Sequence, residues 1–357
     1  MNSTKPSAGK SAETSAGTSL DRYQRQVRFA PLGETGQRQL MTKRVLVCGC
    51  GALGSIVADT LVRAGVGFTR VVDRDFVELG NLHRQVLFDE ADAAAQLPKA
   101  VAAAQRLSAV NSSVQIEPVV ADINSTNIVG LAGDVDLLID GTDNFETRYL
   151  LNDFSIAQNT PWVFAGCVGA EGQTLAIVPG ETPCLRCIMP EPPPATALPT
   201  CETAGVLEPI VGVIASLQAM EAIKLLSGNR HQLNPGITFV DLWNNSFRTI
   251  GVEASRSDDC PTCGQRDFVW LSGERGSAVT RLCGRNSVQI LPTVSGPLDL
   301  QVLANKLRKV GEVTNNRFLV RLAVEGFLLT VFSDGRTLVG GTDDPVVART
   351  VVAKYLG

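Results

Sequence analysis

The amino-acid sequence predicts an α/β fold with a Rossmann-like, doubly wound, mostly parallel sheet, followed by a small α+β module. Three observations predict it. A buried strand pattern, a glycine-rich turn and a helical pattern follow one another over residues 44–64. Strand and helix patterns then alternate, which is typical of right-handed βαβ units. Two distant Cys-x-x-Cys pairs can supply four ligands to one zinc ion, so the predicted fold includes a structural metal site.

The chain has 357 residues, a length that favours one large domain and a small one. Its hydrophobic residues make up 44% and its net charge is −4, which is ordinary globular composition without a polycation signature. We therefore expect neither nucleic acid nor a membrane as partner. The Ser/Thr/Ala/Gly-rich residues 1–20 lack the apolar core of a signal peptide, so we expect a disordered tail and a cytoplasmic location.

The large domain is expected over residues 21–268, and its elements follow from local periodicity. The stretch 204–226 predicts a long apolar helix, and its polar residues make it too polar for a membrane span. Seven prolines over 179–199 predict a loop. The predicted strands are 44–48, 70–73, 114–119, 135–140, 162–167, 172–177, 238–241 and 246–252, and the other predicted helices are 55–64 and 99–110.

The small module is expected over residues 278–357 as a βαββα unit of unassigned role. Its predicted strands are 287–291, 318–324 and 327–332, and its helices are 298–310 and 346–356. It has no glycine phosphate loop, no histidine and a single cysteine, Cys283. Nothing in it therefore suggests independent catalysis.

The glycine-rich turn is the motif Gly49-x-Gly51-x-x-Gly54 between strand and helix. Glycines there permit a tight turn and let phosphates approach the amides at the positive end of the helix. Asp73 follows nineteen residues after Gly54 at the end of the next strand, where a carboxylate can accept hydrogen bonds from ribose hydroxyls. The motif predicts nucleotide binding; the alternative is a tight turn alone.

The surrounding charges favour a triphosphate. The bare fingerprint suggests NAD or FAD. The sequence around the glycine turn supplies more cationic and polar donors than a diphosphate needs. The cations are Arg25, Arg84 and Lys99, and Asn81 and Gln85 lie beside Arg84 in the sequence. The alternative for Arg84 and Lys99 is a solvated surface position.

Asp143 follows the predicted strand 135–140 at its carboxyl end, where ligands of open α/β sheets bind. A carboxylate there can hold Mg²⁺ against phosphates. The alternative is an ordinary Asx turn.

Eight of the nine cysteines fall into three groups, and the ninth is Cys283 of the small module. Cys184-x-x-Cys187 and Cys260-x-x-Cys263, separated by seventy-two residues, predict a closed structural Zn²⁺ site that ties distant segments together; the alternative is a redox dithiol or unligated thiols. Cys201 precedes the long helix, whose dipole favours a thiolate. Cys48, Cys50 and Cys167 are expected to be packing residues.

Several motifs in one order resemble the ubiquitin-activating-like adenylyltransferases, of which the ThiF/MoeB/HesA-type enzymes that activate sulfur-carrier proteins are the most similar. The resemblance covers residues 20–263. It rests on Arg22-Tyr23-Gln24-Arg25-Gln26, Gly49-Cys50-Gly51-Ala52-Leu53-Gly54, Asp73-Arg74-Asp75, Gly80-Asn81-Leu82-His83-Arg84-Gln85, Pro98-Lys99 and Gly141-Thr142-Asp143-Asn144.

The resemblance implies an activity. The C-terminal glycine carboxylate of a small ubiquitin-like carrier, ending in Gly-Gly, would attack the ATP α-phosphate to give an acyl-adenylate and pyrophosphate. The pathway would be thiamine or molybdopterin synthesis. A rhodanese domain is not recognisable in the module, so a separate sulfurtransferase would supply sulfur.

The resemblance also implies roles for residues. Arg25 would enter the site of a neighbouring subunit, which implies a homodimer, and the cysteine of the segment 199–205, Cys201, would either bond the activated carrier or be inert. Ala52 replaces a glycine of many relatives. The implied catalytic residues are Arg25, Arg84, Lys99, Asp143 and Cys201, and the implied ATP and Mg²⁺ ligands are Gly49, Gly51, Ala52, Gly54, Asp73, Asp75, Asn81, Arg84, Gln85, Lys99, Asp143 and Asn144.

Three other interpretations stay open at this point. The glycine fingerprint alone also suits an NAD(P)-dependent oxidoreductase. A related adenylating dehydratase acting on a tRNA base would keep the fold, although the acidic pI disfavours it. A catalytically silent scaffold is the third interpretation. It would not need the five charged residues of the predicted nucleotide site, which are Arg25, Asp73, Arg84, Lys99 and Asp143.

Overall fold

A computed structural model describes residues 20–194, 203–275, 279–282, 286–290 and 298–356. All but the last residue of the expected tail over 1–20 lie outside these ranges, as do Cys201 and Cys283. The helices are α1 (Gln24–Val27), α2 (Gly33–Leu40), α3 (Ala52–Ala64), α4 (Glu90–Ala94), α5 (Lys99–Val110), α6 (Ile128–Ala132), α7 (Phe145–Gln158), α8 (Leu185–Ile188), α9 (Glu208–Leu226), α10 (Leu300–Leu307) and α11 (Pro345–Tyr355). The strands are β1 (Arg44–Cys48), β2 (Phe68–Val72), β3 (Gln115–Val119), β4 (Leu137–Asp140), β5 (Trp162–Val168), β6 (Glu171–Ile177), β7 (Gly236–Asp241), β8 (Ser246–Gly251), β9 (Val279–Leu282), β10 (Ser287–Ile290), β11 (Glu312–Asn315), β12 (Leu319–Val324), β13 (Phe327–Phe332) and β14 (Thr337–Gly340).

Strands β1 to β8 form one sheet in the order β3-β2-β1-β4-β5-β6-β7-β8. The pairs from β3 to β5 are parallel, and those from β5 to β8 are antiparallel. The chain builds outwards from β1 to β3 and then returns to place β4 on the other side of β1. The crevice at the carboxyl ends of β1 and β4 is therefore the topological switch point, where open α/β sheets bind ligands. The predicted Rossmann-like sheet is confirmed.

Helices cover both faces of this sheet, and the strand residues alternate between two apolar cores. Val45 and Val47 point to one core with α3, α5 and α9. Leu46 and Cys48 point to the other with α7. Cys48 and Cys50 are fully buried, as expected of packing cysteines.

Helix α9 begins at Glu208, four residues later than predicted, because Pro209 suits only the first helical turn. By length and composition it is apolar enough to cross a membrane, contrary to the sequence-based expectation, yet 56% of its most apolar window is buried inside the protein. Its buried Gln218 donates from Nε2 to the backbone oxygens of Asp140 and Val163, each at 2.8 Å, while its Oε1 has no hydrogen-bond partner within the described chain. The helix is thus packed as a core helix.

Six of the described helices were not predicted from the sequence: α1, α2, α4, α6, α7 and α8. Helix α7 has no amphipathic period because ten of its fourteen residues are buried, several of them polar or charged, including Arg148 and Asp153. Helix α8 is a single turn inside the expected proline-rich loop.

The carboxyl-terminal module contains an antiparallel sheet in the order β11-β12-β13-β14-β10-β9. Helices α10 and α11 pack on one face of it. The predicted βαββα unit was incomplete, because the described module adds β9, β11 and β14. Each of these has four residues, which is too short for periodicity to identify.

Three glycines bring the carboxyl ends of β1 and β4 together. Gly49 has a φ of +85°, which L side chains rarely adopt. A Cβ on Gly54 would lie 1.9 Å from the Gly49 oxygen, and one on Gly141 would lie 2.4 Å from the same oxygen. Only glycine allows these backbones to touch.

We predict that Gly141→Ala lowers the free energy of unfolding by about 1–3 kcal/mol, because its methyl group would displace the Gly49 turn. Gly130→Ala is the matched control: this glycine is exposed on α6, and a Cβ there meets nothing within 4 Å. That substitution should be neutral or slightly stabilising. Urea denaturation measures both. Equal effects of the two substitutions would contradict the three-glycine contact.

Candidate active site and metal centre

The glycine turn opens onto the amino end of α3. Gly51 is the N-cap, and no side chain caps the helix, so its first amides remain available to an anion. Ala52 takes the first helical position, where it packs in part against the core. The turn and helix therefore have the geometry of a phosphate site.

Asp73 lies directly at this turn. Its Oδ2 accepts a hydrogen bond from the Cys50 amide at 2.6 Å, and its Oδ1 accepts from the Asp75 amide at 2.7 Å. Burial raises the pKa of the Asp73 carboxyl, while the nearby Lys99 ammonium acts to lower it. Each carboxylate oxygen keeps a further lone pair with which it could accept from a ligand.

Lys99 is the first residue of α5 and is only 3% exposed. Its amide donates to the Asp75 oxygen at 2.9 Å, and its Nζ lies 3.4 Å from Asp75 Oδ2. An antiparallel bridge between Phe76 and Pro98 fixes the same two segments. Backbone pairing thus carries a buried cation to the aspartates that follow β2.

Asn81, Arg84 and Gln85 form the next part of the site. Asn81 Oδ1 accepts from Arg84 Nη2 at 2.9 Å, which steers the guanidinium. Gln85 is 3% exposed, and its Nε2 lies 3.9 Å from the position that a Cβ would take at Gly51. Its buried Oε1 has no hydrogen-bond partner within the described chain. The Gln85 amide therefore lies beside the glycine turn with its Nε2 towards Gly51 and its Oε1 unpaired in the described chain, which suits a polar ligand at this turn.

Asp143 and Asn144 follow β4. The Gly141 amide donates to the Cys48 oxygen at 2.8 Å, which holds this turn against β1. Asp143 is exposed. Its carboxylate raises the pKa of the Arg74 guanidinium, as do the carboxylates of Asp73 and Asp75, so all three carboxylates lie near the same arginine. Asn144 caps α7, because its Oδ1 accepts from the Thr147 amide at 2.8 Å.

The residues that hold the Asp143 turn were not predicted from the sequence. Asp140 is fully buried, and its Oδ2 lies 3.1 Å from Arg148 Nε. Arg148 Nη2 also donates to the oxygens of Thr142 and Ala165, each at 2.9 Å. Burial raises the pKa of Asp140, and Arg148 offsets this. An aspartate that ends a strand, with an arginine eight residues later, is a sequence signal that could have found this pair.

Arg25 is the predicted residue that does not join the others within one chain. It is exposed on α1, and its neighbour Tyr23 packs against Gly65 just beyond the far end of α3. Gln26 donates to the Ala64 oxygen at 3.0 Å, also at that end. Since α3 has 13 residues, about 20 Å separates this region from the glycine turn.

The four cysteines that were predicted to bind zinc lie close together in the fold. Their Sγ atoms all lie within 4.8 Å of one another. The closest approaches are 3.3 Å for Cys187 to Cys263, 3.6 Å for Cys184 to Cys260 and 3.9 Å for Cys184 to Cys187. Four sulfurs at about 2.3 Å from a tetrahedral zinc ion would be roughly 3.8 Å apart. The cluster therefore fits zinc. Burial raises the pKa of the Cys184 thiol, and burial together with Cys187 raises that of Cys263 to about 12.

Helix α7 holds both loops of this cysteine cluster through hydrogen bonds. The Leu185 amide donates to Asn152 Oδ1 at 2.7 Å. The Thr262 hydroxyl donates to Asp153 Oδ1 at 2.9 Å, and the Trp270 amide donates to Asp153 Oδ2 at 2.9 Å. Both cysteine loops are thus tied to one helix.

Cys201 lies outside the described residues. The described chain resumes at Thr203, and the Gly169 amide donates to the Gly205 oxygen at 2.8 Å, at the carboxyl end of β5. Cys167 lies at the same end and is partly exposed.

These features define a Rossmann-like α/β protein whose switch-point crevice carries a glycine turn, buried cations and carboxylates, and whose cysteine cluster could hold zinc. A profile of the ThiF family matches residues 23–262. The chain belongs to the ThiF family.

Two relatives and one solved structure illustrate the similarity. A sulfur carrier protein ThiS adenylyltransferase of Bacillus subtilis (strain 168) is 41% identical over 337 residues, which cover 94% of this chain and 99% of that protein. A sulfur carrier protein adenylyltransferase of Thermus thermophilus is 40% identical over 259 residues, 70% of this chain and 94% of that protein. The crystal structure of E. coli MccB with ATP has a TM-score of 0.59 at 24% identity, over 70% of this chain and 75% of that chain, and supports the fold.

We predict that Cys260→Ser removes a metal that holds the two cysteine loops together. Zinc measured by mass spectrometry of the purified protein should fall from about one ion per chain to well below one. The unfolding midpoint should fall by roughly 5 °C or more. Cys167→Ser, outside the cluster, is the control and should keep the metal. A wild-type protein that is stably folded without bound zinc would refute a structural zinc site.

Proposed function

We propose that this protein uses ATP and Mg²⁺ to adenylate the C-terminal glycine carboxylate of a small ubiquitin-like sulfur-carrier protein. One observation carries the proposal: the glycine turn, Asp73, the buried Lys99 and the Asp143 turn converge at the carboxyl ends of β1, β2 and β4. Membership of the ThiF family supports it, as do the names of relatives that are adenylyltransferases of sulfur carriers.

The proposed reaction is a phosphoryl-centre displacement. An oxygen of the carrier's terminal carboxylate attacks the α-phosphorus, the bond from that phosphorus to the oxygen bridging to the β-phosphate breaks, and pyrophosphate leaves. The products are the acyl-adenylate and pyrophosphate. No protein nucleophile is required, so catalysis depends on positioning and on charge stabilisation.

The site residues suit these tasks. The uncapped first turn of α3, together with Lys99 and Arg84, would bind phosphate oxygens. Asp73 would accept from the ribose hydroxyls. Asp143, an exposed carboxylate, would hold Mg²⁺, which supplies positive charge to the phosphates when bound.

The alternatives receive less support. An oxidoreductase does not need so many cations around the phosphates, and a tRNA-modifying enzyme is disfavoured by a net charge of −4. The ThiS-named relative aligns over nearly the whole chain, module included. A ThiS-type carrier ending in Gly-Gly is therefore the first to test. The module has a single cysteine, Cys283, so we propose that a separate sulfurtransferase supplies sulfur.

We also propose that the active enzyme is a homodimer in which Arg25 acts in the site of the partner subunit. Within one chain Arg25 is exposed and about 20 Å from the glycine turn, too far for its side chain to reach a bound phosphate. A second copy would supply the missing cation to each site.

ATP–pyrophosphate exchange tests the adenylation. With a ThiS-type carrier, the wild-type protein should exchange labelled pyrophosphate into ATP, and Lys99→Ala should slow exchange by about 100-fold or more because a buried phosphate ligand is lost. Lys354→Ala, an exposed lysine that pairs with Glu325 on the module, is the control and should behave as wild type. Absence of exchange with every Gly-Gly carrier tried would overturn the proposed function.

Mixing two inactive variants tests the shared site. Arg25→Ala and Lys99→Ala should each be inactive alone. Equimolar refolded or co-expressed mixtures should regain roughly one quarter of wild-type exchange, because half the dimers are mixed and each mixed dimer has one intact site. No recovery despite mixed dimers in native mass spectrometry would show that Arg25 acts within its own chain or not at all.

A further inference from the structure

The carboxyl-terminal module is docked on the segment that follows β2. Phe76 packs with Leu319, Phe332 and Leu338 of the module, and all four are at least nine-tenths buried. The Arg321 guanidinium stacks on the Phe76 ring at 4.1 Å from its centroid. The module therefore contacts the stretch that carries Asp73 and Asp75.

A ring of polar contacts crosses this interface. Arg336 is 1% exposed; its Nη2 donates to the Arg74 oxygen at 2.8 Å and its Nη1 donates to Gln289 Oε1 at 3.4 Å. Gln289 Nε2 donates to Asp122 Oδ2 at 2.5 Å. Asp122 Oδ1 closes the ring with Arg74 Nη1 at 3.1 Å. The module thus holds both the backbone and, through Asp122, the side chain of Arg74.

The same segment is held from its other side by α5. The Lys99 amide donates to the Asp75 oxygen at 2.9 Å, and the Val77 amide donates to the Leu97 oxygen at 2.8 Å. Residues 73–77 therefore lie between the helix that carries Lys99 and the module that carries Arg336. A shift of this segment would move Asp73 and Lys99 relative to the glycine turn.

The positive charge of Arg74 interacts with the carboxylates near the glycine turn. Burial acts to lower the pKa of its guanidinium, but four carboxylates, those of Asp122, Asp75, Asp143 and Asp73, raise the pKa above its usual value. Asp122 is the carboxylate that pairs with Arg74 at 3.1 Å. Without that pairing, the cation could turn towards the carboxylates that face the glycine turn and compete with a ligand for them.

We propose that the module is part of the nucleotide-binding machinery, with Arg336 as a positioning residue that acts through Gln289, Asp122 and Arg74 to set Asp73 at the glycine turn. This assignment rests on the proposed function, since it presumes that the crevice binds ATP. It gives a role to a module that has no catalytic motif of its own. It also makes ATP affinity depend on a residue more than 260 positions along the chain from Arg74.

The test separates nucleotide positioning from simple stabilisation. Arg336→Ala in the full chain should raise the dissociation constant for ATP, measured by calorimetry without carrier, and the KM for ATP in exchange by about tenfold each. The turnover number per folded enzyme and the KM for the carrier should change much less. Arg336→Lys should recover part of the loss, because lysine can donate to the Arg74 oxygen but cannot also reach Gln289.

Two further variants keep the test decisive. Asp122→Asn lies outside the module, breaks the ion pair with Arg74, and should raise the dissociation constant for ATP in the same direction. Combined with Arg336→Ala, it should give less than the sum of the two effects. Val351→Ala weakens the module's own core away from the interface; it should lower the unfolding midpoint and leave the dissociation constant unchanged.

The proposal fails if Arg336→Ala changes the dissociation constant less than twofold, or if Val351→Ala raises it as much as Arg336→Ala does. Because ATP binding is measured without carrier, this failure is distinct from failure of the proposed function. A wild-type protein that binds ATP but activates no carrier would overturn the carrier assignment and leave the positioning role standing.

Discussion

The contact among Gly49, Gly54 and Gly141 sets the position of everything in the crevice. Their backbones approach so closely that a Cβ on Gly54 would lie 1.9 Å from the Gly49 oxygen. This contact brings the start of α3 and the turn after β4 to one point at the switch of strand order. A helix amino end that can bind an anion and a carboxylate that can bind a cation are thereby made neighbours. The parallel pairing of β1 with β4 supplies the register, with Cys48 opposite Asp140.

Helix α7 links this crevice to the cysteine cluster. Its first turn follows the Asp143 turn and is anchored there by the buried pair of Asp140 and Arg148. Nearer its end, Asn152 and Asp153 accept hydrogen bonds from both cysteine loops. A buried ion pair left with one partner costs several kcal/mol, so this helix has little freedom to shift. The cysteine cluster is thus a structural support for the acidic turn at the other end of α7.

The sequence predicted those features that depend on local chemistry. A glycine turn between strand and helix and two Cys-x-x-Cys pairs have few alternative uses, and the sheet and the cysteine cluster are as predicted. The domain boundaries and the roles of the site residues stay predictions.

Helix α7 was not predicted from the sequence, because burial on all sides removes the helical period. Asn144 caps α7 with its side-chain oxygen, and its predicted contact with the nucleotide stays a prediction. The contact of Arg336 with Arg74 was not predicted, because it joins segments that are far apart along the chain. Local patterns in a single sequence do not show which distant segments touch.

The central claim is that a triphosphate lies on the glycine turn between Lys99 and Asp143. A crystal structure with Mg²⁺ and a non-hydrolysable ATP analogue tests it most directly. The account predicts phosphate oxygens within about 2.7–3.2 Å of the first amides of α3 and of Lys99 Nζ, with the metal held by Asp143. A nucleotide bound elsewhere, or one whose phosphates point away from Gly49–Gly54, would contradict the account.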